Sequence, residues 1–100
     1  MSRRSLLSES ELSAALEKLP GWEAAGGKLH REYKFADFVH AFGFMAAAAV
    51  AIEAMNHHPD WRNVWNRVSI DLWTHDAGGV TQMDVELAGK LEALARKLLG

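Results

Sequence analysis

Three histidines are the residues whose types and spacing most directly suggest chemistry. His57 and His58 are adjacent and precede Pro59, and His75 precedes a loop that contains two glycines. Imidazole changes charge near neutral pH, so a cluster of histidines can hold a general acid and a general base at once. The alternative interpretation is that His-His-Pro only ends a helix and that His75 lies on the surface. Spacing alone leaves both interpretations open.

A metal site is another possibility for the same histidines, because three imidazoles and a water can bind zinc in hydrolytic sites. Adjacent side chains in an extended chain point to opposite sides, which makes it awkward for His57 and His58 to share one ion. The nearby carboxylates have no established metal-ligand spacing from the histidines: Glu53, Asp60, Asp76 and Asp84. The pattern therefore favours no metal, and Glu53 can simply pair with His57 at i and i+4.

Three tryptophans surround the histidines in the sequence: Trp61, Trp65 and Trp73. Tryptophan usually packs in a core or an interface, and we expect this of at least one of the three. A flat heteroaromatic ligand would equally suit indole walls with a few convergent polar groups. The cluster is thus compatible with plain packing and with a small-molecule site.

Turn signals and apolar periodicity predict the elements that position these side chains. Residues 1–6 look like a tail, after which Ser8 and Glu11 have the spacing of a capping box that opens a first helix. A proline-glycine pair ends that helix. A hairpin follows over residues 22–35 and turns at two glycines, with Arg31 interrupting the apolar face of its second strand.

A long helix is predicted over residues 37–55, with Asp37 as its N-cap and with its end imposed by Pro59. The apolar residues that recur at helical spacing are Phe38, Phe42, Met45, Ala49 and Ile52. The helix is apolar on more than one face, which indicates burial between a sheet and a second surface. Its longest run without charge or histidine, Ala41–Ile52, is 12 residues. Crossing a bilayer needs about 20, so no membrane span is expected.

A second pair of strands is predicted over residues 63–65 and 68–75, with the turn at Asn66-Arg67. Thr81 and Asp84 repeat the capping-box spacing before a last helix, and capping alone accounts for Asp84. The order is therefore helix, two strands, helix, two strands, helix. It predicts an α+β fold in which three helices pack on one face of a four-stranded antiparallel sheet.

Composition limits the classes of function. The chain has 100 residues, 49% of them hydrophobic and 24% charged, which is typical of a globular protein with one domain, here over residues 7–100. The net charge of −2 offers no basic field to nucleic acid or anionic lipid. The absence of cysteine excludes disulfides, thiolate zinc sites and cysteine nucleophiles. No secretory leader is recognisable, so we expect a cytoplasmic protein.

Several segments together are similar to one known family. They are Gly21-Trp22, Ala41–Met45, Glu53–Val68, Thr74–Asp76, Gly79–Thr81 and Asp84. Through these segments, the chain from Leu7 onward closely resembles the pterin-4a-carbinolamine dehydratase family. His-His-Pro alone would be a weak signal. Joined to the following tryptophan and Asn-Val, and to Thr-His at the family's spacing, it is specific.

The resemblance implies an enzyme that dehydrates 4a-hydroxytetrahydrobiopterin, or a related 4a-hydroxytetrahydropterin, to the quinonoid dihydropterin in tetrahydrobiopterin recycling. It implies no metal or organic cofactor, and a homodimer or homotetramer. The catalytic residues that it implies are His57, His58 and His75. The implied substrate-binding residues are Asn56, His57, His58, Trp73, Thr74, His75 and Asp76, with Pro59, Trp61 and Asp84 in supporting positions.

Acid–base chemistry suits these residues, since one imidazole can protonate the leaving hydroxyl while another accepts a ring N–H proton. We expect His75 and one of His57 or His58 to fill these roles. Met83 and Trp65 depart from the family's pattern, where Arg and Tyr are common. The alternative for the same fold is a non-catalytic dimerisation or interaction module, which would bind no pterin. A zinc hydrolase, in contrast, would lose its activity to a chelator.

Overall fold

The computed structural model describes residues 3–99, which form three helices and a four-stranded sheet. In chain order the elements are α1 (Glu9–Glu17), β1 (Glu23–Ala25), β2 (Lys28–Lys34), α2 (Phe38–Met55), β3 (Asp60–Val64), β4 (Arg67–Leu72) and α3 (Gln82–Leu99). The α+β class and the order of elements predicted from the sequence are confirmed. The predicted capping box of α1 is also present, with Ser8 and Glu11 bonded reciprocally.

The sheet is antiparallel throughout, with the strand order β1-β2-β4-β3. Because side chains alternate along a strand, one face of the central pair β2 and β4 carries the apolar residues. They are almost completely buried: Leu29, Tyr33, Val68, Ile70 and Leu72. Helices α2 and α3 pack against each other and against this face, so the core lies between two helices and the two central strands.

The predicted bounds of the second strand pair are wrong. Strand β3 begins at Asp60 rather than at residue 63. Val64 pairs with Arg67, so the two residues of the turn are Trp65-Asn66 and not Asn66-Arg67. Trp65 takes a left-handed φ of +51°, which is uncommon for a bulky residue and which its type does not signal.

Strand β4 ends at Leu72, three residues before the predicted end at His75. Beyond it, Thr74 forms an isolated bridge with Gly79, and its N–H donates to the Gly79 carbonyl at 2.8 Å. The chain therefore folds into a tight loop over residues 74–79 instead of continuing the strand. This loop places Thr74 beside Thr81 at the start of α3.

Helix α2 begins after the predicted N-cap, and the Asp37 carboxylate accepts from the His40 N–H at 2.8 Å. Its buried face consists of Ala41, Phe44, Ala48 and Ile52. Of the residues singled out by helical spacing, Ile52 belongs to that face and Met45 packs against the core at its edge. Phe38 and Phe42 are 48% and 56% exposed. Since α2 is apolar on several sides, periodicity could not choose the side that meets the sheet.

The opposite side of α2 is an exposed apolar surface, which we call the outer face of α2. It is formed by Phe38, Val39, Phe42, Ala46, Ala49 and Val50. By length and composition alone, α2 is also apolar enough to cross a membrane. The core helix of a soluble protein passes the same test, and the other side of α2 packs into the core.

A buried charge cluster links α3 to the first hairpin. Tyr33 and Trp22 both donate to Glu92 Oε1, Trp22 over 3.2 Å. Arg96 Nε donates to the other carboxylate oxygen over 3.1 Å. The Arg31 guanidinium lies 4.3 Å from the Tyr33 ring centroid, and its Nε lies 3.9 Å from Glu92 Oε1. Arg31, which interrupts the apolar pattern of β2, therefore belongs to this cluster.

The cluster keeps Glu92 ionised. Burial opposes its charge, but hydrogen bonds from Tyr33, Arg96 and Trp22 outweigh burial and hold the pKa of the carboxyl below its usual value. Burial, and then the hydrogen bond to Glu92, raises the pKa of the Tyr33 hydroxyl far above its usual value. A lowered folded-state pKa stabilises the fold above the unfolded value of about 4.3, and this contribution is lost as the pH falls through the folded value.

We predict that Glu92→Leu lowers the free energy of unfolding at pH 7 by about 2–3 kcal/mol, because two buried donors and two cations lose their acceptor. Urea unfolding measures this, with Glu86→Gln as the control, since Glu86 pairs with Arg3 at the surface. Glu92→Gln should also flatten the loss of stability below about pH 4.3. If Glu92→Gln lost stability at acid pH as steeply as the wild type does, the role given to the Glu92 charge would be contradicted.

Candidate functional site

Every residue predicted to bind substrate lines one pocket beside the end of α2 and the loop after β4. The pocket has a volume of about 220 Å³ and is open to solvent. Its lining residues are Arg4, Asn56, His57, His58, Trp73, Thr74, His75 and Asp76. The fold thus brings together the two parts of the sequence that carry the three histidines.

The end of α2 directs the first two histidines apart. Asn56 adopts a left-handed conformation with φ 50° and ψ 44°, which asparagine tolerates better than most residues. Its N–H donates to the Glu53 carbonyl at 3.1 Å, and the His57 N–H donates to the Ile52 carbonyl at 3.3 Å. This pair of bonds is a Schellman motif. The chain leaves the helix so that His57 is buried and His58 is exposed.

His57 is held by Asp84, whose side chain is completely buried. His57 Nε2 lies 2.5 Å from Asp84 Oδ1. Asp84 Oδ2 accepts from the Thr74 hydroxyl at 2.9 Å and from the Thr81 N–H at 2.8 Å. Three converging donors are the environment of an ionised carboxylate, which fixes the hydrogen of His57 on Nε2 and leaves Nδ1 for proton exchange.

The predicted cap at Thr81 exists, but the interpretation that capping alone accounts for Asp84 is wrong. Thr81 Oγ1 accepts from the Met83 N–H at 3.2 Å, while Asp84 receives the Thr81 N–H in return. The same carboxylate also binds His57 and Thr74, which come from two other parts of the chain. The spacing of Thr81 and Asp84 reveals a local cap and contains no information on these distant partners.

His58 lies at the exposed rim of the pocket, where its Nε2 is 2.9 Å from Glu53 Oε1. The predicted pairing of Glu53 with His57 is therefore wrong, because the left-handed turn sends His57 inward. The expectation that the adjacent histidines point apart is confirmed. Among residues 3–99, no group of three His, Asp or Glu side chains is placed to hold a metal ion.

His75 is oriented by an aromatic stack. Its ring and that of Trp73 have centroids 4.3 Å apart and an interplanar angle of 16°. Lys28 Nζ lies 4.2 Å from a Trp73 ring centroid. The register explains this contact, because Leu29 pairs with Leu72 and the next residues outward are Lys28 and Trp73. Trp73 therefore contacts Lys28 and His75 and also lines the pocket, so the choice between packing and ligand binding stays open for this residue.

The remaining residues singled out in the sequence lie outside the pocket lining. Trp61 is half-buried and packs against the core, so the expectation that at least one of the three tryptophans packs is confirmed. Trp65 is 66% exposed at the tip of the second hairpin. Met83, the departure beside Asp84, is buried in α3. Pro59 stands between the two histidines and β3.

Arg4 is a pocket residue that no sequence signal identified. Residues 3–6, part of the segment interpreted as a tail, dock beside the pocket, where Leu6 forms an antiparallel bridge with Thr81. A Cβ at Gly79 would lie 2.8 Å from Leu6 Cδ2, so glycine permits this close approach. Met1 and Ser2 lie outside the described residues. The sequence around Arg4 has no periodic pattern. Its position in the pocket is therefore apparent only from the folded structure.

A family model described as pterin 4 alpha carbinolamine dehydratase matches residues 5–94. The chain belongs to this family. A relative from Solibacter usitatus, named "Putative pterin-4-alpha-carbinolamine dehydratase", is 65% identical over 89% of this chain and 94% of that protein. A relative of the same name from Synechococcus sp. (strain WH7803) is 50% identical over 90% of this chain and 97% of that protein. The resemblance seen in the sequence is confirmed.

Two solved structures are also similar. The crystal structure of a transcriptional coactivator/pterin dehydratase from Brucella melitensis has a TM-score of 0.86 and 46% identity, covering 89% of this chain and 97% of that one. A pterin dehydratase-like protein described as a RuBisCO assembly factor of the alpha-carboxysome has a TM-score of 0.62 and covers 74% of this chain and 86% of that one. At 20% identity, the second likeness shows only that the fold of the pterin-4a-carbinolamine dehydratase family is shared.

We predict that Asp84→Asn releases His57. The amide keeps one acceptor oxygen and presents an NH₂ group to donors, so the free energy of unfolding should fall by about 1–3 kcal/mol. In ¹⁵N-resolved NMR, the wild-type His57 ring N–H should give a slowly exchanging, downfield signal that the variant loses. Asp76→Asn is the matched control, because Asp76 is exposed in the same pocket. An unchanged ring N–H signal in Asp84→Asn would contradict the assignment.

Proposed function

We propose that this protein dehydrates 4a-hydroxytetrahydrobiopterin, or a related 4a-hydroxytetrahydropterin, to the quinonoid dihydropterin and water, as a step in tetrahydrobiopterin recycling. The observation that carries the proposal is the convergence of three histidines with different environments on one pocket. Membership of the pterin-4a-carbinolamine dehydratase family supports it. The pocket volume of about 220 Å³ suits a two-ring heterocycle that leaves its side chain outside.

The reaction requires two proton transfers and no covalent intermediate. The carbinolamine carbon carries a hydroxyl group and a ring nitrogen. A proton given to the hydroxyl turns it into water, which leaves as the nitrogen lone pair forms the C=N bond. The nitrogen then loses its hydrogen to a base. An acid and a base near opposite ends of this unit each contribute about 10²–10⁴-fold.

The histidine environments support distinct roles. Asp84 occupies His57 Nε2, so Nδ1 is the ring nitrogen left to exchange a proton with the departing hydroxyl and with water. His75 has no hydrogen bond to the described residues, so both of its ring nitrogens are available to the ring N–H of the substrate. His58, at the rim and beside Glu53, is positioned to orient the pterin.

We also propose that the outer face of α2 packs against a second copy of the chain. Val39 and Val50 are 75% and 73% exposed, and the Phe38 and Phe42 rings contact each other at a tilt, with centroids 5.8 Å apart. Contiguous apolar surface of this kind marks association sites. A helix can meet its own copy about a two-fold axis and bury the same residues on both sides. The pocket shares no residue with this face, so association and dehydration do not compete for surface.

We predict that the wild-type protein accelerates the dehydration of freshly generated 4a-hydroxytetrahydropterin, measured spectrophotometrically with and without a chelator. His75→Ala should lower kcat by about 10²–10⁴-fold while leaving the fold intact, because His75 is exposed. His40→Ala is the matched control, since His40 lies outside the pocket lining and pairs with Asp37 at the start of α2. Chelator-resistant activity that His75→Ala loses and His40→Ala keeps would support the proposal.

Absence of acceleration over the spontaneous reaction would overturn the dehydratase proposal. The alternative, a non-catalytic interaction module of the same fold, would then be favoured by the exposed outer face of α2. Activity that the chelator abolishes would instead point to a metal-dependent hydrolase. Full activity in all three variants His57→Ala, His58→Ala and His75→Ala would exclude this pocket as the site.

We predict that Val50→Glu shifts the protein to the monomer, because each copy would bury a charge in the proposed contact. Sedimentation velocity measures the change, and circular dichroism checks that α2 persists. Ala93→Glu is the control, because Ala93 is exposed on another helix, α3, and is not part of the outer face of α2. A wild-type monomer at micromolar concentration would contradict the proposed contact.

A further inference from the structure

We infer that Trp73 and Lys28 are positioning residues for His75: the indole fixes the plane of the imidazole, and the lysine fixes the indole. The inference rests on the proposed function, since it assigns a device that orients one of the two proton-transferring groups. Neither residue is required to contact the substrate in this role. The contact with Trp73 explains how His75, an exposed residue in a loop, can keep a defined orientation.

The stack follows from the backbone. In the extended segment 73–75, side chains alternate, so Thr74 points into the core towards Asp84, and Trp73 and His75 share the other side. Their rings are nearly parallel, at 16°, and 4.3 Å apart. Lys28 Nζ and the His75 ring are each just over 4 Å from the indole. Both groups therefore contact the indole and restrain it together.

The stack supplies the restraint that hydrogen bonds supply elsewhere in the pocket. His57 has Asp84 and His58 has Glu53 as hydrogen-bond partners. The His75 side chain has no hydrogen bond or ion pair to any residue that the structure describes. A contact through the ring face restrains orientation while leaving both nitrogens for the reaction. Misplacement of a catalytic group by about 1 Å can lower the rate about 10²-fold.

The charged groups around the stack come from four parts of the chain. Lys28 approaches from β2, Asp76 from the same loop, and His57 and His58 from the end of α2. Arg4 completes the pocket lining from the N-terminal segment. The ammonium of Lys28 is attracted to the indole by its quadrupole, which anchors Trp73. Lys28 therefore acts on His75 through Trp73, and its removal should have a smaller effect than the removal of the indole.

The test compares Trp73→Leu, Trp73→Phe and Lys28→Met by steady-state kinetics and by NMR of the carbon-bound His75 ring protons. These protons are shifted upfield by the indole ring current in the stacked geometry. We expect Trp73→Leu to lower kcat about 10–100-fold, to change KM less than threefold and to remove the upfield shift. Trp73→Phe should recover most of kcat and part of the shift. Lys28→Met should lower kcat a few-fold, whereas Lys34→Met, an exposed lysine of the same strand, should not.

Three results would overturn the inference in an active wild-type enzyme. One is a Trp73→Leu kcat within twofold of wild type, and another is a His75 shift that does not move. The third is a loss that appears in KM alone, which would make Trp73 a substrate wall. A wild-type protein without dehydratase activity would overturn the proposed function together with this inference. The two failures are therefore distinguishable by the wild-type rate.

Discussion

The carboxylate of Asp84 is the interaction on which the candidate site depends. It is completely buried and receives donors from the end of α2, from the segment after β4 and from the start of α3. Its position in the first turn of α3 adds the favourable field of the helix N-terminus. A buried carboxylate is tolerated only when its oxygens accept hydrogen bonds. The three chain segments that supply the donors must therefore meet at Asp84. That requirement places His57 and the 74–79 loop beside one another and thereby creates the pocket.

The three histidines consequently differ in a way that residue type does not reveal. His57 is fixed through a buried carboxylate, His75 through the face of Trp73, and His58 only through the exposed Glu53. Catalysis by proton transfer depends on groups held in a productive geometry before the substrate arrives. The two well-restrained rings are therefore the better candidates for acid and base, and the weakly restrained one can adjust to the substrate.

Local signals in the sequence predicted most of the fold. Ser8 with Glu11 and the alternation along β4 depend on neighbours within a few residues, and both proved correct. The inward face of α2 could not be predicted, because a helix with apolar residues on several sides offers no contrast. The role of Asp84 and the pocket position of Arg4 depend on partners far away in the chain. The family resemblance identified most of the pocket residues. The contacts that give each histidine a different environment join residues far apart in the chain, so the sequence did not reveal them.

Helix α3 connects the requirements of stability with those of chemistry. Its first turn carries Asp84, and two turns later Glu92 closes the cluster with Trp22 and Tyr33. Both carboxylates anchor the helix to other elements, but only Asp84 binds residues that line the pocket. The outer face of α2 belongs to neither group. Because the Asp84 cluster, the Glu92 cluster and the outer face of α2 share no residue, a substitution in one of them can leave the other two unchanged.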